Sequence, residues 1–328
     1  MLKKTILITG VAGFICSHLC VYFVNKYTDC IFVGIDKMTY CSNMKNLDSI
    51  ISNPRFTFIK ADITDIDTMK YIFEKYTFDD ILHLAAYTHV DTSFGNSIEF
   101  TKNNVLGTHY LLELAKVYHS KLFFHMSTDE VYGSTENESN EESTLCPTNP
   151  YAASKAAAEQ FVQSYHKSFK MNTLIVRCNN VYGTKQHPEK VIPRFIMRLL
   201  SGKKCQIQGS GEQKRSFIHI LDVCRAIDHV YTYGKYGEKY NIGAKTEISI
   251  LEVLERILEQ MNLTSQDKIE GVQDRDFNDI RYNINWEKLE KLGWKEEKDF
   301  NKELKNIILW HKENPDYWIK DDYIKSLI

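Results

Sequence analysis

The chain has 328 residues, 43% of them hydrophobic and 26% charged, with a formal net charge of -2. That length suits about two domains, and that composition excludes wholesale disorder. The near-neutral balance carries no footprint for nucleic acid or an anionic membrane surface, and no apolar run approaches the ~18 residues of a membrane span.

In chain order, Thr5 to Thr9 reads as a strand and Phe14 to Tyr27 as an amphipathic helix. The opening residues are taken as that first strand rather than a secretory leader, because the apolar part is short and a glycine motif follows at once. Further strands are expected at Cys30 to Ile35, Phe56 to Lys60, Asp80 to Leu84, Lys121 to Ser127 and Asn172 to Arg177. Helices are expected at Asp65 to Tyr76, Asn103 to Tyr118 and Tyr151 to Phe169. Such alternation predicts an α/β fold, a doubly wound parallel sheet of the Rossmann type. After Arg177 the pattern changes. Loops at Gly183 to Pro193, Gly202 and Gly209 to Arg215 surround shorter elements, and helices return at Asp222 to Thr232, Leu251 to Met261 and Lys302 to Glu313. The expected division is a dinucleotide-binding domain over 1–178, with a return segment near 217–243. A smaller mixed α/β substrate-binding region takes 179–216 and 244–328. The acidic stretch Ser134 to Thr144 reads as a solvated loop, with a lid as the alternative. Eight cysteines lack Cys-x-x-Cys spacing, which points to reduced, mostly buried thiols rather than a metal site or disulfide framework, and to a cytoplasmic setting.

Gly10-x-x-Gly13-Phe14-Ile15 joins the first strand to the first helix. Glycines there let the backbone approach a pyrophosphate at a helix N-terminus. Alone the match is weak, because glycine turns after strands are common. Asp36 ends the second strand, where a carboxylate accepts from ribose hydroxyls and repels a 2′-phosphate, favouring NAD; a turn-capping aspartate is the competing reading. Asp62-Ile63 follows the third strand near an expected adenine edge, and Leu84-Ala85-Ala86 ends the fourth with small side chains. Tyr151 and Lys155 share one helix face at i and i+4, against the alternative of a core tyrosine beside a snorkelling lysine. A tyrosine base at neutral pH needs its pKa lowered by ~3 units, about 4 kcal/mol, which Lys155 and a nicotinamide cation are expected to supply. Thr128, Asp129 and Glu130 follow the fifth strand at the carboxyl edge of the sheet. Two adjacent carboxyls in a dry site separate into an acid and a base; a helix-capping acidic pair competes with that reading.

With these pieces in register, the chain resembles the extended short-chain dehydrogenase/reductase superfamily, and within it the nucleotide-sugar 4,6-dehydratases. The likeness runs from about Lys3 to Trp310. It rests on Gly10-x-x-Gly13-Phe14-Ile15, Asp36-Lys37-x-Thr39-Tyr40, Thr88-His89-Val90-Asp91, Ser127-Thr128-Asp129-Glu130-Val131-Tyr132-Gly133 and Tyr151-x-x-x-Lys155. Later markers are Asn180-Val181-Tyr182-Gly183, Pro188-Glu189-Lys190-Val191-Ile192-Pro193, Asn241-Ile242-Gly243 and Asp274-Arg275-x-Phe277-Asn278-Asp279. The resemblance implies cofactor contacts from Gly10, Gly13, Phe14, Ile15, Asp36, Lys37, Asp62, Ile63, Leu84, Ala85, Ala86, Tyr151 and Lys155. It implies substrate contacts from Thr88, Thr128, Asn180, Glu189, Lys190, Arg215, Asn241, Arg275 and Asn278, the arginines serving the diphosphate. No metal is expected.

The implied cycle has Tyr151, helped by Lys155 and Thr128, taking the C4 hydroxyl proton as hydride leaves C4 for NAD. Glu130 then removes the C5 proton, protonated Asp129 assists loss of the C6 hydroxyl as water, and hydride returns to C6. NAD is regenerated each turn, so tight retention is expected. The Asp129-Glu130 pair is the discriminating feature, since family 4-epimerases usually have small or hydroxyl residues there and sugar decarboxylases keep only the glutamate. Cys16 replaces the third glycine and is expected to shift the helix slightly. Phe277-Asn278-Asp279 with Cys41-Ser42-Asn43 looks like the plant rhamnose-synthase form, so the expected substrate is UDP-glucose, in 6-deoxysugar synthesis. The alternative is dTDP-glucose; a 4-epimerase or a non-catalytic NAD-binding protein ranks lower. The resemblance also implies a homodimer through the helices Asn103–Tyr118 and Tyr151–Phe169. The tail Ile319 to Ile328 carries no assignment.

Overall fold

The computed structural model describes residues 4–134, 137–274 and 279–318. The alternation of the first half produces β1 (Lys4–Thr9), α1 (Phe14–Lys26), β2 (Cys30–Asp36), β3 (Phe56–Lys60), α2 (Ile66–Lys75) and β4 (Asp80–His83). It continues through two short helices, α3 (Val90–Gly95) and α4 (Ser97–Phe100), into α5 (Gly107–Val117), β5 (Leu122–Thr128), α6 (Pro150–Phe169) and β6 (Thr173–Cys178). The second half supplies β7 (Asn180–Tyr182), α7 (Val191–Leu200), β8 (Cys205–Gln208), β9 (Lys214–His219), α8 (Ile220–Tyr233) and β10 (Lys239–Ile242). It ends with β11 (Glu247–Ser249), α9 (Ile250–Gln260), β12 (Ile269–Val272), α10 (Glu287–Glu290) and α11 (Phe300–Glu313).

Among the described residues, seven strands form one sheet in the order β10-β6-β5-β4-β1-β2-β3. Every neighbouring pair in it is parallel. Parallel strands need both faces covered, so central strands are buried along their length; all of β4, β5 and β6 is buried. Successive β1 residues go to opposite faces: Ile6 and Ile8 join the core under α1 and α8, while Leu7 joins the core under α2, α5 and α6. A third core packs α7, α9 and α11 against β8, β9 and β11. Around it lie a three-stranded sheet, β11-β9-β7, and the pair β12-β8.

Local chemistry sets the helix starts that matter for the site. Asn149 caps α6, accepting from the Ala152 N–H at 2.8 Å with Pro150 at the first position. Asp65 caps α2 in the same way, accepting from Thr68 N.

Two expectations change. Val191–Leu200 is the helix α7, although Gly183 to Pro193 reads as loop; Pro193 sits in its first turn, where proline is tolerated. The helix expected from Asn103 starts earlier, because Thr101–Leu106 continues α4 as a π-helical segment. The acidic stretch is a largely exposed loop, as expected, but it is anchored at two points. The Glu141 carboxylate is buried and accepts from the Asn241 N–H at 2.8 Å, and Ser139 pairs with the backbone of Asn283 and Asn285. The tail 319–328 lies outside the described residues.

Candidate active site

A cleft runs along the carboxyl ends of β1, β2, β4 and β5. One half is made by backbone. Gly10 has φ +84°, and a Cβ there would lie 2.9 Å from Ala85 Cα, so glycine lets the tips of β1 and β4 meet. Thr9 Oγ1 accepts from the Leu84 and Ala85 N–H groups, each at 3.1 Å. His83 lies between the Thr9 and Thr108 hydroxyls at 2.8 Å from each. Burial pushes that imidazole down to about 3, so it is neutral.

Gly13 precedes α1 with no side-chain cap, and the first turn carries no acidic residue. A Cβ on Gly13 would find only the Gly10 carbonyl, at 3.2 Å, within 4 Å. The result is an open, anion-favouring helix start. Asp36 lines the same cleft and accepts from Ala12 N at 3.0 Å, Met38 N at 2.7 Å and Ser42 Oγ at 2.9 Å. Its turn-capping role is therefore real, and it leaves acceptor capacity facing the cleft. Phe14, Ile15, Lys37, Ile63, Leu84, Ala85 and Ala86 complete the lining. These features fit a dinucleotide. Asp62 is absent from the lining: its Oδ1 accepts from Thr64 N at 2.9 Å and its Oδ2 lies 3.6 Å from Lys37 Nζ. Cys16 is buried, with its thiol donating to the Thr9 carbonyl at 3.2 Å.

The other half carries ionisable side chains. Thr128 ends β5 and opens a 3-10 turn, Asp129–Tyr132. Gly133 closes that turn at φ +77°, where a Cβ would fall 2.1 Å from the Cys146 carbonyl. Asp129 accepts from Thr128 Oγ1 at 3.1 Å and from Asn179 Nδ2 at 2.6 Å. Burial and then the Glu130 charge push its carboxyl up to about 7. Glu130 Oε2 accepts from Asn149 Nδ2 at 3.1 Å and lies 3.4 Å from Tyr282 Oη, and burial raises its pKa too. The residue that caps α6 thus also aims Glu130.

Tyr151 and Lys155 project from α6 into the same cleft. The groups of this chain alone do not lower the phenol pKa. Burial, then the Glu130 charge, raise it, against a hydrogen bond with Thr128. Lys155 Nζ donates to the Met126 carbonyl at 2.6 Å, and burial pushes the ammonium down to about 8. The lysine is held by β5.

Thr88, Asn180, Glu189 and Lys190 line the far rim. Lys190 Nζ donates to the Thr88 carbonyl at 3.0 Å, and Tyr40 Oη donates to Glu189 Oε2 at 2.8 Å. Burial would raise the Glu189 pKa, but the Lys190 ammonium and a hydrogen bond from His187 hold it well below the usual range.

Two expected substrate contacts move. Asn241 lies off the cleft, fully buried, accepting from Tyr132 Oη and donating to the Asn285 carbonyl, each at 2.8 Å. Arg215 is not in the cleft wall; its guanidinium lies 4.8 Å over the Tyr282 ring, and its charge lowers the pKa of both Asp129 and Glu130. Arg275 and Asn278 lie outside the described residues. Sequence reading missed Asn149, Asn179 and Tyr282. Asn149-Pro150 is a readable cap signature, whereas nothing in the spacing marks Tyr282 as a neighbour of Glu130. Asp279 accepts from both Thr148 Oγ1, at 2.8 Å, and Tyr282 Oη, which ties that segment to the start of α6.

The sequence profile of the family described as GDP-mannose 4,6 dehydratase matches residues 7–307. A dTDP-D-glucose 4,6-dehydratase of Dictyostelium discoideum is 44% identical, over 96% of this chain and 83% of its own length. A trifunctional UDP-glucose 4,6-dehydratase/UDP-4-keto-6-deoxy-D-glucose 3,5-epimerase/UDP-4-keto-L-rhamnose-reductase of Arabidopsis thaliana is 45% identical over 96% of this chain, which spans 48% of the plant protein. A solved dTDP-glucose 4,6-dehydratase of Streptomyces venezuelae, with NAD bound, superposes with a TM-score of 0.93 at 35% identity, covering 98% of this chain and 99% of that one.

Proposed function

Because the chain belongs to the GDP-mannose 4,6 dehydratase family, among the nucleotide-sugar 4,6-dehydratases, we propose that it removes water from a nucleotide-linked glucose, with dTDP-glucose as its first substrate and UDP-glucose as its second. The observation that carries this reading is the Asp129-Glu130 pair, set beside Thr128, Tyr151 and Lys155 in one cleft wall.

The order of substrates reverses the expectation from sequence. Identity gives the plant proteins no advantage, at 45% against 44%, and the Dictyostelium dehydratase is matched over most of its length. The Cys41-Ser42-Asn43 motif also sits at the wrong end to choose a base. Ser42 donates to Asp36 and the Asn43 N–H donates to the Ala12 carbonyl, so the motif shapes the cofactor half.

NAD, held by the α1 start, Asp36 and the apolar wall Ile63, Leu84, Ala85 and Ala86, would supply a reversible hydride acceptor for the sugar carbon. The side chains divide the proton work. Asp129, raised to about 7, holds a proton near neutrality and is the acid that assists the departing C6 hydroxyl. Glu130 is the base for the C5 proton; its position depends on Asn149 and Tyr282. Tyr151 takes the C4 hydroxyl proton. Its phenol is disfavoured as an anion in the free cleft, so the positive charge of the oxidised cofactor becomes the main device for lowering it. Thr128 bonds both Asp129 and Tyr151 and relays their positions. Thr88, Asn180, Glu189 and Lys190 are the remaining sugar or diphosphate contacts, with Arg215 acting by charge from outside the wall.

A homodimer through α5 and α6 is supported by exposed apolar side chains at their ends, Leu106 just before α5, Val117 and Phe169. Among the described residues no helix is long and apolar enough to cross a membrane, and no cluster of metal-ligating side chains occurs.

The test is to incubate the purified chain with dTDP-glucose and UDP-glucose separately and weigh the products. Loss of one water from either supports the dehydratase, and the faster substrate settles the order. An isobaric product would move the reading to an epimerase, and no change in either would sink it.

A further inference from the structure

The residues just after α11 reach back across the molecule to the cofactor half of the cleft. Tyr317 Oη donates to Asn46 Oδ1 at 2.6 Å, and the Asn43 side-chain amide donates to the Tyr317 carbonyl at 3.1 Å. Asn43 and Asn46, both buried, help to hold the glycine turn. The Ala12 carbonyl accepts from the Asn43 N–H at 3.0 Å and from Asn46 Nδ2 at 2.8 Å, while the Ala12 N–H donates to Asp36. The turn, Asp36 and the loop after β2 are therefore tied together, and Tyr317 closes the tie from 271 positions away along the chain.

Trp318 fixes the other end. Its ring, buried, lies edge-on to His187 at 4.9 Å, and Tyr40 packs on the same imidazole at 5.4 Å. His187 lines the cleft, and Met197 of α7 packs with Tyr317 and Trp318. Tyr40, from the loop after β2, donates to Glu189 on the opposite rim. The two aromatic residues thus stand where the two halves of the cleft meet, without lining it themselves.

We propose that Tyr317 and Trp318 form a latch that holds the glycine turn and the loop after β2 closed on the bound dinucleotide, so that the cofactor is retained from one turnover to the next. The proposal rests on the dehydratase reading, in which the hydride returns to the same sugar and the cofactor has no need to leave. Opening the loop enough to release a dinucleotide requires breaking both Tyr317 hydrogen bonds and withdrawing the Trp318 ring from between α7 and His187. Tyr317 is a positioning residue: it acts through Asn46 and Ala12, and it touches neither cofactor nor sugar.

The experiment loads the full chain with NADH and follows its release by fluorescence after mixing with excess NAD. Tyr317→Phe keeps the ring and removes one hydrogen bond; release should quicken about fivefold, the worth of one neutral hydrogen bond. Trp318→Ala removes the packing as well, and release should quicken roughly tenfold or more. In both variants the KM for added NAD should rise while kcat at saturating NAD stays within about twofold of the parent. A fall in kcat that saturating NAD does not restore would mark a general loss of structure and overturn the latch. So would release at the parent rate in both variants. A parent chain that holds no NADH at all would remove the dehydratase reading, and the latch with it.

Discussion

The two sides of the cleft work in different ways. On the side built by β1, β2 and β4, binding groups are mostly backbone: a glycine turn, an uncapped helix start and a wall of small residues. On the side built around β5, α6 and the second half of the chain, the groups are side chains whose aim depends on other side chains, as Glu130 depends on Asn149 and Tyr282. A backbone site tolerates most substitutions nearby and fails at its glycines. A side-chain site fails at its ionisable groups while binding survives.

The largest expected effect comes from Glu130→Gln, which should slow dehydration by ~10²–10⁴-fold and stop deuterium uptake at C5, yet leave bound NAD unchanged. Undiminished deuterium uptake would refute the assignment of the base and break the contrast between the two sides. On the backbone side, Gly10→Ala meets both a φ of +84° and the Ala85 backbone at 2.9 Å. The strain of about 1–2 kcal/mol or more should weaken NAD binding by roughly tenfold or more, seen by titration calorimetry. Asn241→Ala tests whether that residue belongs to the site at all. It should lower unfolding free energy in urea by roughly 1–3 kcal/mol, by stranding the Asn285 carbonyl, with the KM for the nucleotide sugar unchanged.

The smallest effect is a pH dependence. Asp129 has a folded pKa of about 7, above its ordinary 3.8, so the ionised form is the penalised one. Its contribution to stability is full below the unfolded value and lost as the pH rises through about 7. Asp129→Asn should therefore raise Tm by roughly 2–4 °C at about pH 8 and leave it unchanged near pH 4, by calorimetry. Equal shifts at both values would mean that Asp129 is not a strained carboxyl. The same titration should make the activity of the parent fall above pH ~7, as the acid loses its proton.

These contrasts explain what was legible in the sequence. The first half alternates strands and helices whose partners lie close along the chain, so periodicity alone located β1 to β6 and the fingerprint at Gly10 and Gly13. Residues fixed by that frame, Thr128, Asp129, Glu130, Tyr151 and Lys155, do meet in one cleft. The failures come from contacts that spacing does not encode. Asn241 lies within β10, the strand that inserts beside β6, where its polar side chain joins Tyr132 to Asn285. The helix α7 was hidden by a proline in its first turn. Tyr282 is more than 150 positions from Glu130, and only tertiary structure brings them together. The bond from Lys155 to a carbonyl of β5 is likewise one that i, i+4 spacing does not show.

The insertion of β10 beside β6 has a consequence for synthesis. While the ribosome is still making α7 and α8, residues Thr173–Cys178 form the outermost rung of a growing sheet, with no neighbour on one flank. An open edge of that kind is a template for pairing with another nascent chain. The hazard ends only when Lys239–Ile242 has cleared the exit tunnel, so a pause in translation between those two points is when this protein is most exposed to aggregation and to chaperones.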